Sequence, residues 1–124
     1  MTAERFLQNG IPAQADCPLQ ELCSFRIGGR AGIAVFPRTR EELILALRTV
    51  LQEGAPFDVV GNGTNLLFPD GVYPGVLIVT RQLRGADFSG SEVTASAGTP
   101  LPALATEAMR RGLSGLEFAQ GIPG

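Results

Sequence analysis

The amino-acid sequence predicts a mixed fold class, α/β and then α+β, in which a small α/β layer precedes the start of an antiparallel unit. Residues 75–80 form a run that is continuous in β-branched and aliphatic residues, as expected for a strand covered on both faces. Val93, Ala95 and Ala97 instead alternate with polar residues, the pattern of an antiparallel strand with one wet face. With 124 residues, 44% of them hydrophobic, the chain can bury the core of one domain.

The amino-terminal part combines a segment of little periodicity with a short strand. Residues 1–23 predict a polar arm with a short helix around Ala3 to Leu7. Residues 32–37 then predict a strand that proline ends. The pair Gly28-Gly29 before this strand permits either a plain turn or a close approach of the backbone to a neighbouring group.

A capped helix follows this strand. Thr39 is the expected N-cap residue, and Glu42 is expected to reach back as in a capping box. The apolar positions at helical spacing are Leu43, Ile44, Leu47, Val50 and Leu51. Gly54 is placed to end the helix, and residues 57–60 form the next strand. The order strand, helix, strand, loop, strand predicts a helix packed on a sheet with a right-handed crossover.

A second helix is predicted after residue 98. Thr99-Pro100 opens it with proline at the first position, and Gly112 closes it. The expected buried stripe consists of Leu101, Leu104, Ala105, Ala108 and Met109. Residues 113–124 form a glycine-spaced loop that lacks a packing partner, so we expect the chain to stop within a structural unit.

The loop that begins at Gly61 is the strongest candidate for a binding site. Gly61 and Gly63 can adopt positive φ, and their backbone N–H groups can close around an anion. Asn62, Thr64 and Asn65 can donate to phosphate oxygens or fix the turn. Two interpretations therefore remain, a phosphate-binding loop and a simple tight turn.

Charge and composition argue against several other classes. A net charge of −2, from 12 acidic and 10 basic residues, gives no electrostatic reason to expect a nucleic-acid partner. No run approaches the roughly 20 apolar residues of a membrane span, so we expect a cytoplasmic protein that does not bind membranes. The chain has no histidine, so we expect no metal site and no histidine-based triad, with Cys17 and Cys23 as free thiols.

Five segments in a fixed order resemble one enzyme family. They are Ser24-Phe25-Arg26-Ile27-Gly28-Gly29, the segment from Gly61 to Leu67, Gly75-Val76-Leu77-Ile78, the segment from Gly112 to Phe118, and Gly121-Ile122-Pro123-Gly124. Residues 20–124 thereby resemble UDP-N-acetylenolpyruvoylglucosamine reductase, also called UDP-N-acetylmuramate dehydrogenase, of bacterial peptidoglycan synthesis. The resemblance implies an FAD-binding PCMH-type domain, similar to vanillyl-alcohol oxidase. Its expected parts are an arm at 1–23, a first α/β subdomain at 24–84 with the pyrophosphate loop, and the start of a second FAD-binding subdomain at 85–124.

The resemblance also implies an activity and a set of binding residues. Family members are FAD-dependent oxidoreductases that take hydride from NADPH and reduce the enolpyruvyl ether of a UDP-sugar to a lactyl ether. By this resemblance the FAD pyrophosphate is held by Gly61, Asn62, Gly63, Thr64, Asn65 and Leu66. The loop that approaches the ribityl chain and flavin ring begins with Ile122, Pro123 and Gly124. Arg26 and Gly28 match an entry segment that we interpret as structural. Without histidine, FAD is expected to bind non-covalently.

No catalytic residue of the family maps onto this chain. The family's serine, glutamate and arginine lie downstream of residue 124, whereas Ser114 and Glu117 belong to an upstream motif. We therefore expect an FAD-binding portion that is inactive alone, whose partner is the carboxy-terminal part of the enzyme or another copy of the chain. Two alternatives stay open. One is a stand-alone FAD- or nucleotide-binding module without redox activity, and the other is a globular domain whose Gly61 loop is only a turn.

Overall fold

The computed structural model describes residues 1–22, 29–61 and 71–121. Its strands form a four-stranded sheet and a separate two-stranded hairpin. The elements are α1 (Glu4–Leu7), β1 (Ala13–Pro18), β2 (Arg30–Val35), α2 (Arg40–Glu53), β3 (Phe57–Val60), β4 (Val72–Val79), β5 (Ala86–Ser89), β6 (Glu92–Ala95) and α3 (Leu101–Arg110). Short 3-10 helices at Leu19–Glu21 and Glu117–Gly121 complete the described structure.

The sheet is built around β4. Its strand order is β1-β2-β4-β3, with β2 and β3 parallel to β4 and β1 antiparallel to β2. Residues 75–80 are buried, which confirms the prediction of a strand covered on both faces. The chain passes from β2 through α2 to β3 and leaves the middle position for β4. Each face of β4 therefore contributes to a different core.

Alternation along the strands divides the hydrophobic core between the two faces of the sheet. The face under α2 buries Phe6, Ile11, Val35, Ala46, Val50, Val76 and Ile78. The opposite face buries Cys17, Leu19, Leu22, Ala31, Ala34, Phe36, Val60, Leu77 and Val79. The prediction that the first long helix packs on a sheet is thus confirmed.

The prediction of a polar arm is wrong for the described residues 1–22. The short helix is present as α1, but β1 then joins the sheet as an edge strand. Phe6, Ile11 and Cys17 are almost fully buried. The sequence did not predict β1 because the buried positions of this segment follow no single period. Three successive residues of the strand, Gln14, Ala15 and Asp16, are exposed.

The ends of α2 match the prediction more closely than its face does. Thr39 accepts a hydrogen bond from the Glu42 backbone N–H at 3.1 Å, and Gly54 ends the helix in the left-handed conformation. The Glu42 carboxylate, however, accepts from the backbone N–H of Arg38 at 2.7 Å and from its guanidinium. The capping interaction is therefore displaced by one residue from the expected capping box.

Two of the predicted apolar contacts of α2 are wrong. Ile44 is 38% exposed and Leu51 is 67% exposed. Ala46, Thr49 and Val50 are the buried positions instead. Thr49 can be buried because its hydroxyl Oγ1 donates a hydrogen bond to the Leu45 carbonyl oxygen.

The segment after β4 forms the predicted antiparallel pair and second helix. β5 pairs with β6, as the alternation at Val93 indicated. α3 begins one residue later than predicted, because Pro100 is its N-cap residue. Met109 is 52% exposed, so its predicted place in the buried stripe is wrong. Residues 113–121 also have a packing partner, since the 3-10 helix at Glu117–Gly121 contacts α3 and Ala119 is fully buried.

The surroundings of Gly29 decide between the plain turn and the close backbone approach that the sequence left open. A Cβ at this position would overlap the backbone of Gly71, whose carbonyl accepts a hydrogen bond from Arg30 at 2.8 Å. Close backbone approach, rather than a plain turn, explains this glycine. Gly28 lies outside the described residues.

Gly75 allows β3 and β4 to approach each other. The register between β2 and β4 shifts at a bulge, since Ala31 faces Tyr73 and Ile33 faces Val76. A Cβ on Gly75 would overlap the carbonyl oxygen of Pro56, and that oxygen accepts from Val76 N–H at 2.8 Å.

We expect Gly75→Ala to lower the free energy of unfolding by about 2–3 kcal/mol, because backbone must move to admit the methyl group. Urea denaturation measures this change. Gly32→Ala is the matched control on the neighbouring strand. Its Cβ would lie 3.7 Å from the Tyr73 carbonyl, an ordinary contact, so little loss is expected. Equal losses in the two variants would contradict the close-approach argument.

The Arg38–Glu42 contact makes stability depend on pH. The hydrogen bonds from Arg38 lower the pKa of Glu42 from its ordinary 4.5. A lowered folded-state pKa contributes stability above pH 4.5, and this contribution is lost as the pH falls through the folded-state value. Glu42→Gln should therefore reduce stability at pH 7, with the deficit shrinking below pH 4.5. Thermal denaturation across pH tests this, with Glu41→Gln on the same helical turn as the control. A deficit that is constant with pH would disprove the ionic origin.

Candidate functional site

The carboxyl ends of the three parallel strands meet at one edge of the sheet. Val35 of β2 pairs with Ile78, and Val60 of β3 pairs with Val79, so the strands end nearly level. In open parallel sheets ligands bind outside this carboxyl edge, where loops diverge to either side. The loop that begins at Gly61 leaves from the end of β3 and therefore starts at this edge.

The last residue of β3 is fixed firmly to β4. The Val60 carbonyl accepts a hydrogen bond from Thr80 N–H at 2.9 Å and a second from Thr80 Oγ1 at 3.3 Å. Thr80 is only 4% exposed, so this double contact is shielded from water. The backbone that leads into Gly61, the next residue, is thus held by two hydrogen bonds.

Among the described residues, no packing contact requires a glycine at position 61. Its φ lies outside the left-handed region, so the positive φ that the sequence permitted is not used here. A Cβ at Gly61 would meet, among the described residues, only Thr80 Oγ1 at 4.0 Å. The space beside its backbone is therefore free of described protein atoms. A glycine at such a position permits close approach to the backbone, either by a ligand or by another part of the chain.

Arg81 follows Thr80 directly at the same edge. The Arg81 guanidinium lies over the Phe36 ring, 5.6 Å from its centroid, and donates from Nη1 to the Glu21 carbonyl at 3.3 Å. Arg81 is half-buried. Sequence reasoning missed this residue because nothing in the pattern distinguishes an arginine after a strand from a solvent-exposed one.

The antiparallel hairpin and α3 are joined to this edge through Gly98. A Cβ on Gly98 would overlap the Thr80 carbonyl, and Gly98 N–H donates to the Leu83 carbonyl at 2.8 Å. Thr99 Oγ1 both accepts from Gly85 N–H and donates to the Gly85 carbonyl, each at 3.0 Å. The start of α3 is thereby held close to the end of β4.

Most residues of the predicted site lie outside the described residues. They are Asn62, Gly63, Thr64, Asn65, Leu66, Ile122, Pro123 and Gly124, together with Arg26 and Gly28 of the entry segment. Gly61 is the predicted cofactor-binding residue that the structure describes, and it lies at the carboxyl edge.

The side chains of Glu117 and Cys17 could also be reactive groups from their residue types, but their contacts are structural. The Glu117 carboxylate accepts from Gly115 N–H at 2.9 Å, and backbone hydrogen bonds lower its pKa. Burial, and then the Glu21 charge, raise the pKa of the Cys17 thiol, which is free and remains protonated at neutral pH. Cys23 lies outside the described residues.

The described ranges contain neither a cluster of metal ligands nor a membrane-spanning helix. Within residues 1–22, 29–61 and 71–121, no three histidine, cysteine or acidic side chains come together as metal ligands would. The helices in this part of the chain are each too short or too polar to cross a membrane.

Comparison with known proteins identifies the family. Residues 31–124 match the family model described as FAD binding domain. UDP-N-acetylenolpyruvoylglucosamine reductase from Moorella thermoacetica is 42% identical over 119 residues, which cover 94% of this chain and 39% of that relative. The protein of the same name from Synechococcus sp. (strain JA-3-3Ab) is 45% identical over 112 residues, 90% of this chain and 36% of the relative. The chain thus spans about two fifths of the length of these curated relatives.

Solved structures agree with this assignment. The crystal structure of UDP-N-acetylenolpyruvylglucosamine reductase from Thermus caldophilus superposes with a TM-score of 0.65 at 35% identity and covers 91% of this chain and 38% of that one. Physcomitrella patens BBE-like 1 gives a TM-score of 0.63 at 18% identity over 90% of this chain and 26% of that one, which shows a shared fold alone. These likenesses confirm the predicted fold class, and the chain belongs to the FAD-binding domain family.

Proposed function

We propose that this chain is the FAD-binding portion of a UDP-N-acetylenolpyruvoylglucosamine reductase. The family match supports FAD as its cofactor, and the relatives of that name are 35–45% identical over most of the chain. The observation that carries the proposal is Gly61. Its glycine is needed neither for a left-handed φ nor for packing among the described residues, yet it stands where a parallel sheet binds ligands.

The residues at the carboxyl edge fit a cofactor with a diphosphate. A diphosphate dianion needs several convergent donors, and backbone amides of a glycine-rich loop supply them without bulk. In the proposal, Gly61, Asn62, Gly63, Thr64, Asn65 and Leu66 hold this group. Ile122, Pro123 and Gly124 begin the segment that approaches the ribityl chain and the flavin ring.

The proposed role of this chain is binding and orientation. Bound FAD would supply the chemistry that transfers a hydride from NADPH to the enolpyruvyl double bond of the UDP-sugar, in the cytoplasm. The hydrogen bonds from Thr80 fix the end of β3, so the loop after it starts from one position. A binding loop whose first residue is held in place has less conformational freedom to lose when a ligand binds. We assign no proton-transfer residue to this chain.

Replacement of Gly61 tests the proposal. We expect Gly61→Ala, in the native gene product that carries residues 1–124, to weaken FAD binding by about 10- to 100-fold. The methyl group would occupy the space that the cofactor needs, while stability should stay the same or rise by up to about 1 kcal/mol, because alanine fits the backbone. Fluorescence titration of the flavin-stripped protein measures the affinity, and urea denaturation of the apoprotein measures the stability.

Gly32→Ala serves again as the control, since it adds the same methyl group at a non-strained position remote from the carboxyl edge. It should leave FAD affinity unchanged. Wild-type affinity in Gly61→Ala would favour the interpretation of the loop as a simple turn. A protein that binds no flavin at all would refute the proposed function.

Redox activity separates the reductase from a binding module without redox chemistry. The native gene product should oxidise NADPH only when the enolpyruvyl UDP-sugar is supplied, as followed by absorbance at the nicotinamide band. All flavin should leave the protein on denaturation, because residues 1–124, which contain the proposed binding loop, offer no histidine for covalent attachment. Flavin binding without NADPH oxidation would support the module instead, and NADPH oxidation by the isolated 124-residue chain would disprove our assignment of catalysis to other residues.

A further inference from the structure

Asn9 and Gly10 form an asparagine–glycine pair on the surface of the amino-terminal segment. Both residues are exposed, and they follow α1, a helix of four residues. Gly10 has a φ of +78°, and a Cβ there would meet no described atom within 4 Å. Because glycine has no side chain, its backbone nitrogen can approach the preceding side-chain amide with little steric hindrance. The pair therefore has the composition and the exposure that favour ring closure between Asn9 and Gly10.

Two hydrogen bonds to α1 hold this pair in the folded chain. Asn9 Nδ2 donates to the Arg5 carbonyl at 2.9 Å, and the Gly10 N–H donates to the Leu7 carbonyl at 3.0 Å. All four residues are exposed. A helix of one turn has little stability of its own, and such chain ends open locally without global unfolding. Opening of the last turn of α1 thus releases both the side-chain amide and the backbone nitrogen.

We propose that Asn9 is a site of spontaneous deamidation whose rate is controlled by the last turn of α1. When the turn opens, the Gly10 nitrogen loses its proton to solvent hydroxide and attacks Asn9 Cγ. The new N–Cγ bond forms as the Cγ–Nδ2 bond breaks, and Nδ2 leaves as ammonia. Water then opens the resulting succinimide at either carbonyl, which gives aspartate or isoaspartate. The reaction consumes one water molecule and involves no oxidation or reduction.

The product weakens the attachment of α1 to the sheet. A carboxylate at position 9 cannot donate to the Arg5 carbonyl, and its negative charge lies just beyond the carboxyl end of the helix, where it is unfavourable. Isoaspartate also lengthens the backbone directly before Gly10, whose carbonyl accepts from Arg38 Nη2 at 3.1 Å. Phe6 and Ile11, on either side of the pair, are almost fully buried in the core under α2. Deamidation therefore disturbs the segment that carries these two core residues.

Peptide mapping of the native gene product that carries residues 1–124 tests the proposal. Trypsin cleaves after arginine, so Asn9 falls in the fragment 6–26, and Asn62, which also precedes a glycine, falls in the fragment 49–81. Incubation of the folded protein at alkaline pH should raise the mass of fragment 6–26 by about 1 Da. In guanidinium chloride the same conversion should run about 10- to 100-fold faster, because the two hydrogen bonds to α1 are absent.

Variants at Leu7 separate the control by α1 from the chemistry of the pair. Leu7 is 51% exposed, so its replacement removes no core contact. Leu7→Gly should deamidate about 3- to 6-fold faster than Leu7→Ala, because glycine lowers the stability of a helix. Asn9→Gln should remain unmodified, since glutamine would have to close a larger ring. After incubation, wild type should unfold at a lower urea concentration than before, as fresh Asn9→Asp does, whereas Asn9→Gln should not change.

Three results would contradict the proposal. An unchanged fragment 6–26 in the folded protein, with conversion in guanidinium chloride, would overturn the assignment of Asn9 as a deamidation site. Equal rates in the folded and the denatured protein, or in Leu7→Gly and Leu7→Ala, would show that α1 does not control the reaction. Conversion of Asn9 with unchanged resistance to urea would disprove the weakened attachment of α1.

Discussion

The structure depends on one strand that must be buried on both faces and paired on both sides. β4 meets this constraint with consecutive aliphatic residues, and alternate side chains enter two different cores. Its two parallel neighbours then end level with it, which creates a single carboxyl edge. The position of the candidate site is therefore a consequence of how β4 is buried.

Glycines around β4 are of two physical kinds. Gly29, Gly75 and Gly98 are places where a Cβ would collide with neighbouring backbone, so the fold itself requires them. Gly61 is different, because alanine would fit there as far as the described residues are concerned. The sequence alone cannot separate the two kinds, since both appear as glycine near a strand. Only the surroundings in the folded chain show that the described residues place no packing requirement on Gly61.

Much of the fold was predictable because local patterns and tertiary contacts agree. The Thr39 cap, the Gly54 stop and β3 all follow from signals within a few residues. The errors arise where long-range contacts decide. β1 is an edge strand with a weak alternating pattern, and Leu51 and Met109 have helical spacing but lie beyond the packed face. The candidate loop could be located from glycine spacing, whereas the stack of Arg81 on Phe36 depends on a long-range contact that the sequence does not reveal.

The net charge of −2 means that a dianionic ligand gains no general attraction from this chain. Recognition of a diphosphate must therefore be local, and a local site works best when its donors are fixed in advance. Thr80 fixes the backbone that enters the Gly61 loop, while Phe36 and the Glu21 carbonyl fix the guanidinium of Arg81. Because these contacts lie around the end of β4, the strand that organises the core also determines where the candidate site lies.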